Sequence, residues 1–310
     1  MQYVLVMIAL LLSFGQGNTQ PEKAPQIDLP PPDKPLSVKE ATKIYQSTHM
    51  FYSIRHSQGL PLYPLPEVYI QCFERILLDF PDEKFVFVPK GLGMRERVEY
   101  GGCRAALAAS HWAQGKWNEA LALEVQDLFI RWVENLEMKS GLLYGFPLYP
   151  FPDPFRSDPP AAVLRIADIV KEKQGKGAKF SPLLFIRSWC LRARWKGSDP
   201  NDALVSFNDL AYALGNDRWQ EIIQRDWKAW RFTISVKGKT ITFAAGSQKA
   251  VIEGKEVTLR YPVERSFYDL YVPLGDLVKA LGGAVRPPKP EELTVFQRHL
   301  PVSLLVVDLD

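Results

Sequence analysis

Leu270-Tyr-Val-Pro-Leu-Gly-Asp-Leu-Val-Lys-Ala-Leu-Gly-Gly-Ala-Val285 decides the reading of the C-terminal part of the chain. Pro273 suits the opening of a helix, where an amide N–H would have no helical partner and a fixed φ costs nothing. Leu274, Leu277, Val278 and Leu281 then share one face, and Gly282 can adopt the left-handed conformation that ends a helix. The stretch therefore reads as one amphipathic helix.

Upstream, the apolar residues alternate instead. Phe232, Ile234 and Val236 are followed by Ile241 and Phe243, with Lys237-Gly238 between them as a tight turn. Ala250-Val-Ile-Glu-Gly-Lys-Glu-Val-Thr-Leu259 repeats the pattern around Glu253-Gly254, which predicts a second hairpin. Downstream, Val302-Ser-Leu-Leu-Val-Val307 is β-branched enough to close the sheet. One helix packed on one small antiparallel sheet follows.

These residues carry a family resemblance. Val236-Lys-Gly238, Ala250-Val-Ile-Glu-Gly254, Tyr271-Val-Pro-Leu274 and Ala280-Leu-Gly-Gly-Ala-Val285 resemble, in order and spacing, the bacterial copper amine oxidase N-terminal-like domain, or stalk domain. The resemblance implies a small antiparallel sheet wrapped around one helix, found as an accessory module of exported or surface proteins. The chain departs from it at Gly275, where an Arg often follows Val-Pro-Leu, and at Arg286-Pro287-Pro288. Amine oxidation needs a separate catalytic domain with a His-x-His pair and an Asn-Tyr cofactor site, and the sequence holds neither.

The N-terminal part is organised differently. Met1 to Phe14 is an apolar run followed by Gly15-Gln16-Gly17, the pattern of a secretory leader with its cleavage site. It falls short of the roughly 20 apolar residues of a membrane span, and no Cys follows it to carry a lipid anchor. Pro21 to Pro35 is dense in proline and reads as an extended tether. Ser37-Val-Lys-Glu40 has the form of a capping box, with Val38, Ala41, Tyr45 and Tyr52 continuing a helix to about Ser57. Pro66 opens a second helix carrying Tyr69, Phe73, Ile76, Leu77 and Phe80.

Arg104 to Leu123 resembles the helix-turn-helix of a tetratricopeptide repeat at Leu107, Ala108, Trp112, Gly115, Trp117 and Ala120. Small Ala108 and Ala120 permit close helix approach, and Gly115 makes the turn. Arg218-Trp219-Gln-Glu-Ile222 partly echoes Lys116-Trp117-Asn-Glu-Ala120, but one hairpin is not the stacked array of a solenoid. The expected class is α+β, an all-α domain followed by a small antiparallel sheet around one helix. The expected boundaries are 1–17 for the leader, 18–36 for the tether, 37–230 for a domain of roughly six to eight helices, and 231–310 for the stalk-type domain.

Composition narrows function by exclusion. The 310 residues are 46% hydrophobic and 24% charged with a net charge of +3, which suits a globular chain and gives no nucleic-acid footprint. Cys72, Cys103 and Cys190 allow at most one disulfide and read as small buried hydrophobes. His49 and His56 are two helical turns apart, a long reach for a shared metal, so no metal or cofactor is expected. Zinc peptidase, α/β-hydrolase, phosphate-loop and thioredoxin-like signatures are all missing.

What remains is binding. Pro61-Leu-Tyr-Pro-Leu-Pro66 and Pro147-Leu-Tyr-Pro-Phe-Pro-Asp-Pro154 place Tyr63, Tyr149 and Phe151 on rigid loops able to line a groove for sugar or peptide. Trp189, Arg192, Arg194 and Trp195, read as one helix with Arg187 and Lys196, offer stacking and positive charge. The expectation is an exported, non-catalytic protein that engages a cell-envelope polymer or a protein partner, with no membrane-spanning segment after leader removal. The competing class is a wall glycan or peptide hydrolase using acids among Glu67, Glu74, Glu96, Glu99 and Asp153.

Overall fold

The computed structural model describes residues 27–81, 103–140, 161–215, 218–294 and 296–309. The expected leader, most of the expected tether, Tyr149, Phe151, Glu96, Glu99 and Asp153 lie outside them. Five helices come first: α1 (Val38–Ser57), α2 (Glu67–Asp79), α3 (Cys103–Ala113), α4 (Trp117–Ser140) and α5 (Ala161–Gly175). No helix among the described residues is long and apolar enough to cross a membrane.

Local chemistry sets these helices as expected. The Ser37 amide and hydroxyl both donate to Glu40 Oε2, at 2.8 and 2.7 Å, while Glu40 N–H returns to Ser37 Oγ at 3.2 Å. Gly115 turns α3 into α4 at φ +75°, and Lys116 N–H closes the turn onto His111 O at 3.0 Å. Fully buried Ala108 and Ala120 let the two helices touch. The echo at Arg218–Ile222 is a turn leading into a strand and builds no second hairpin.

From residue 183 the chain turns to strands: β1 (Leu183–Ile186), β2 (Trp189–Leu191), β3 (Ala193–Trp195) and β4 (Ala203–Ser206), then α6 (Phe207–Gly215) and β5 (Ile223–Asp226). The expected helix over Arg187 to Lys196 is thus two short strands, β2 and β3. The reason lies in burial: Leu183 to Ile186 and Trp189 to Leu191 are covered on both faces, and a continuous apolar run does not show the period that separates strand from helix.

The rest follows the sequence reading closely. β6 (Arg231–Val236) pairs with β7 (Lys239–Ala244), and β8 (Lys249–Ile252) with β9 (Lys255–Thr258). Both connections are mirror-image turns, with positive φ at Lys237 and Gly238 and at Glu253 and Gly254. β10 (Glu264–Ser266) and β11 (Asp269–Pro273) lead into α7 (Leu274–Leu281), which Gly282 ends in the left-handed conformation, before β12 (Ala284–Arg286) and β13 (Leu304–Asp308). All three cysteines are free and buried, and burial pushes the Cys72 thiol up to about 12.

The fold is α+β, with helices gathered N-terminally and sheets C-terminally, but it holds three sheets and two inner helices where one of each was expected. Their strand orders are β12-β13-β1-β2, β10-β11-β4-β3 and β5-β6-β7-β8-β9. All pairings are antiparallel except β1 with β13, which is parallel.

A duplicated unit explains the middle sheet. Leu204-Val-Ser-Phe-Asn-Asp-Leu-Ala-Tyr-Ala-Leu-Gly215 and Tyr271-Val-Pro-Leu-Gly-Asp-Leu-Val-Lys-Ala-Leu-Gly282 share Val, Asp, Leu, Ala, Leu and Gly at matching positions. Each is a strand running into a helix. The two strands pair antiparallel with Val205 opposite its counterpart Val272, so the copies face each other across a local twofold axis.

Strand pairing crosses the expected division at Trp230. β1 pairs with β13 and β4 with β11, so strands before residue 230 are hydrogen-bonded to strands well after it. One apolar core joins α4, α6, α7 and strands of all three sheets through Ile130, Phe207, Phe232, Phe243, Val272 and Val307. A fragment beginning at Arg231 should consequently show no cooperative thermal transition by circular dichroism, because it removes β4 from beside β11 and β1 from beside β13 and leaves each with a single edge partner. A fragment from Ala161 that restores β1 to β4 should regain one.

Candidate functional site

Where β2 passes into β3, Arg192 turns inward and is only 4% exposed. Its Nη1 donates to both oxygens of Glu74 on α2 at 2.9 Å, and its Nε to Asp209 Oδ2 on α6 at 3.0 Å. Nη2 reaches Asp209 Oδ1 at 3.2 Å and Asp269 Oδ2 on β11 at 3.4 Å. Asp209 also accepts from the Arg192 amide and from Gln126 Nε2, each at 2.8 Å. Gln126 in turn accepts from Arg104 Nε at 2.9 Å.

The acids are placed by their elements. Ser206 caps α6 by accepting from Asp209 N–H at 3.0 Å, which directs the first turn of that helix at Arg192. Asp269 accepts from Asn208 and Leu270 amides at 3.0 and 2.8 Å, and from the Ser206 hydroxyl. Burial works against the Arg192 charge, but Asp209 and Glu74 outweigh it and hold the guanidinium well above its usual range. Burial raises the Asp269 carboxyl to about 7 against the pull of Arg192, with Asp209 adding to the rise.

Arg194 is committed in the same way. Its Nε donates to Glu119 Oε1 at 2.7 Å and its Nη1 to Glu264 Oε2 at 3.1 Å, and the guanidinium lies 3.7 Å over the Tyr271 ring. Lys196 pairs with Glu264 as well. His111 Nε2 stands 3.8 Å from Glu119, and burial lowers the imidazole despite that carboxylate.

The residues expected to form a binding surface therefore scatter. Trp189 and Arg192 are buried, which removes them from any surface, and Arg194 and Trp195 are half-buried with the Arg charge neutralised. Tyr63 is half-buried at the start of α2, away from this cluster in the chain, and packs with the helical core. Of the acids weighed for hydrolysis, Glu74 is held by Arg192 and Glu67 stands exposed at the start of α2.

An open pocket of about 160 Å³ forms elsewhere, where residues 31–36 cross the end of α2 and meet β5. Trp219, Trp227, Ile223 and Leu78 supply apolar wall, and Asp33, Asp79, Gln220 and Arg225 supply polar groups. The crossing segment is clasped at two points of its backbone: Arg75 Nη2 donates to Lys34 O at 2.5 Å, and Leu36 N–H donates to Asp79 Oδ2 at 2.9 Å. Burial raises the Asp79 carboxyl, while the Leu36 amide, Arg75 and Arg225 oppose the rise.

Arg225 lines the pocket with few of its donors engaged. Its Nη2 donates to Asn208 Oδ1 at 2.7 Å, and Nε has no partner among the described residues. Rings of Trp219, Phe232 and Trp227 stand 5.3, 5.8 and 5.9 Å from it. Burial lowers it to about 10, partly offset by Asp269 and Asp79, so it remains charged at neutral pH. Trp227, Arg225 and Asp79 were not singled out in the sequence, and Trp219 only as part of a repeat echo. The available signal was the density of Trp and Arg between residues 218 and 230.

No known protein family, curated protein or solved structure matches this chain.

Two outcomes are expected of the buried cluster. Arg192→Ala should lower the unfolding free energy by about 3–5 kcal/mol in urea denaturation, because three carboxylates lose their shared cation. The raised Asp269 value means that the folded chain holds a proton that the unfolded chain has released. Its contribution is full below about pH 4 and declines as pH rises toward 7, by at most about 1.4 kcal/mol per unit. Denaturation midpoints measured from pH 4 to 7 should fall, and Asp269→Asn should flatten that slope.

Proposed function

We propose that this is an exported, non-catalytic protein that binds a component of the cell envelope and holds it against the rest of the molecule. The observation that carries the reading is the convergence of Trp219, Trp227, Arg225 and Asp79 on one open pocket. Apolar walls with a few convergent polar groups are what a ligand site requires. Arg192 and Arg194 are neutralised by their own carboxylates, whereas Arg225 lines the pocket and forms no salt bridge among the described residues, its Nη2 donating to the neutral Asn208 amide.

The leader-like residues 1–17 support export, and the resemblance of residues 236–285 to stalk modules supports an accessory role in a surface or secreted protein. Against a wall hydrolase stands the position of Glu74. A general acid or nucleophile must reach substrate, and this half-buried carboxylate has both oxygens on Arg192.

The test is co-sedimentation of the chain from Asn18 onward with purified cell-wall sacculi, followed by assay of released sugars and peptides. Saturable pelleting without release is expected. Release of fragments over hours would replace the binding reading with a hydrolase.

A further inference from the structure

We infer that the Trp219–Trp227 pocket takes a single uncharged pyranose ring of a glycan; this rests on the binding reading above and specifies its ligand. Size is the first argument. An enclosed cavity of about 150 Å³ accepts a benzene ring, and this pocket of about 160 Å³ is open on one side, which leaves room for the hydroxyl rim of one sugar ring.

Surface chemistry is the second. A pyranose presents C–H faces bounded by a rim of hydroxyls that both donate and accept hydrogen bonds. The two indoles, with the rings of Pro32 and Pro35, offer flat apolar wall to the faces. Planar polar groups answer the rim. Asp33 and Gln220 are exposed and their side chains make no hydrogen bond among the described residues. Asp79 Oδ2 is engaged by the Leu36 amide and Arg75, and Arg225 commits only Nη2.

Charge is the third argument. The charged lining is Arg225 with Asp33 and Asp79, and Asp79 is itself paired with the buried Arg75, so no net positive field favours a phosphate or a polyanion. Donors and acceptors in equal supply suit hydroxyls.

The test titrates the full chain from Asn18 with chitotriose and with maltotriose, reading tryptophan fluorescence and saturation-transfer NMR. One of the two sugars should bind saturably with a dissociation constant on the order of 1 mM, as a contact of one ring allows. Asp33→Ala and Gln220→Ala touch no structural bond and should each weaken it at least about fivefold with an unchanged melting temperature. Arg225→Gln should weaken it further.

Binding that survives all three substitutions would overturn the inference by placing the sugar elsewhere. Pelleting with sacculi without affinity for either trisaccharide would overturn it while leaving the envelope reading standing. Failure of both would remove both. Binding of a trisaccharide without pelleting would uphold the pyranose site and remove the envelope assignment.

Discussion

A buried arginine with three carboxylates around it is the constraint on which the rest of this structure depends. Arg192 joins Glu74 of the helical part, Asp209 at the start of α6 and Asp269 at the start of β11. Each of these groups is costly to bury alone, and together they satisfy one another. The geometry that permits this admits one arrangement of helices and sheets. Glu74 on α2 can reach Arg192 only if α2 lies against the β2–β3 corner, and Asp269 only if β11 lies beside β4. The ion cluster thus specifies how the helical and strand-rich parts meet, which apolar packing alone leaves less tightly defined.

The duplicated strand-helix unit shows how such a junction is built from symmetric parts. Asp209 and Asp276 occupy equivalent positions in the two copies. Asp209 faces Arg192, whereas Asp276 accepts from the Arg260 amide at 2.8 Å near the surface. The twofold pairing of Val205 with Val272 places both helices against one core. The first copy carries Ser206 where the other carries Pro273. The hydroxyl caps α6 and bonds to Asp269, two contacts that a proline cannot make.

This division of charges also separates structure from ligand chemistry. Arg192 and Arg194 drew attention in the sequence because arginine near tryptophan often marks a binding surface. In the fold both are consumed internally. The pocket uses a later Trp–Arg set, Trp219, Arg225 and Trp227, walled on its far side by a proline-containing segment held through Lys34 O and Leu36 N–H. Residues 31–36, just before α1, are therefore part of the pocket wall.

Residues close in the chain determined much of this protein by themselves. The capping box at Ser37, the Gly115 turn, the hairpins at Lys237-Gly238 and Glu253-Gly254, and the Pro273 to Gly282 helix each depend on a few neighbouring residues whose φ, capping or periodicity leaves one solution. The strands from Leu183 to Trp195 were not legible. Their apolar run is buried on both sides, and its partners β13 and β4 come from elsewhere in the chain. Likewise no spacing announces that Glu74, Arg192, Asp209 and Asp269 meet, or that Asp33 faces Trp227. Those contacts form only when distant segments are packed together, so they were decided by the tertiary structure alone.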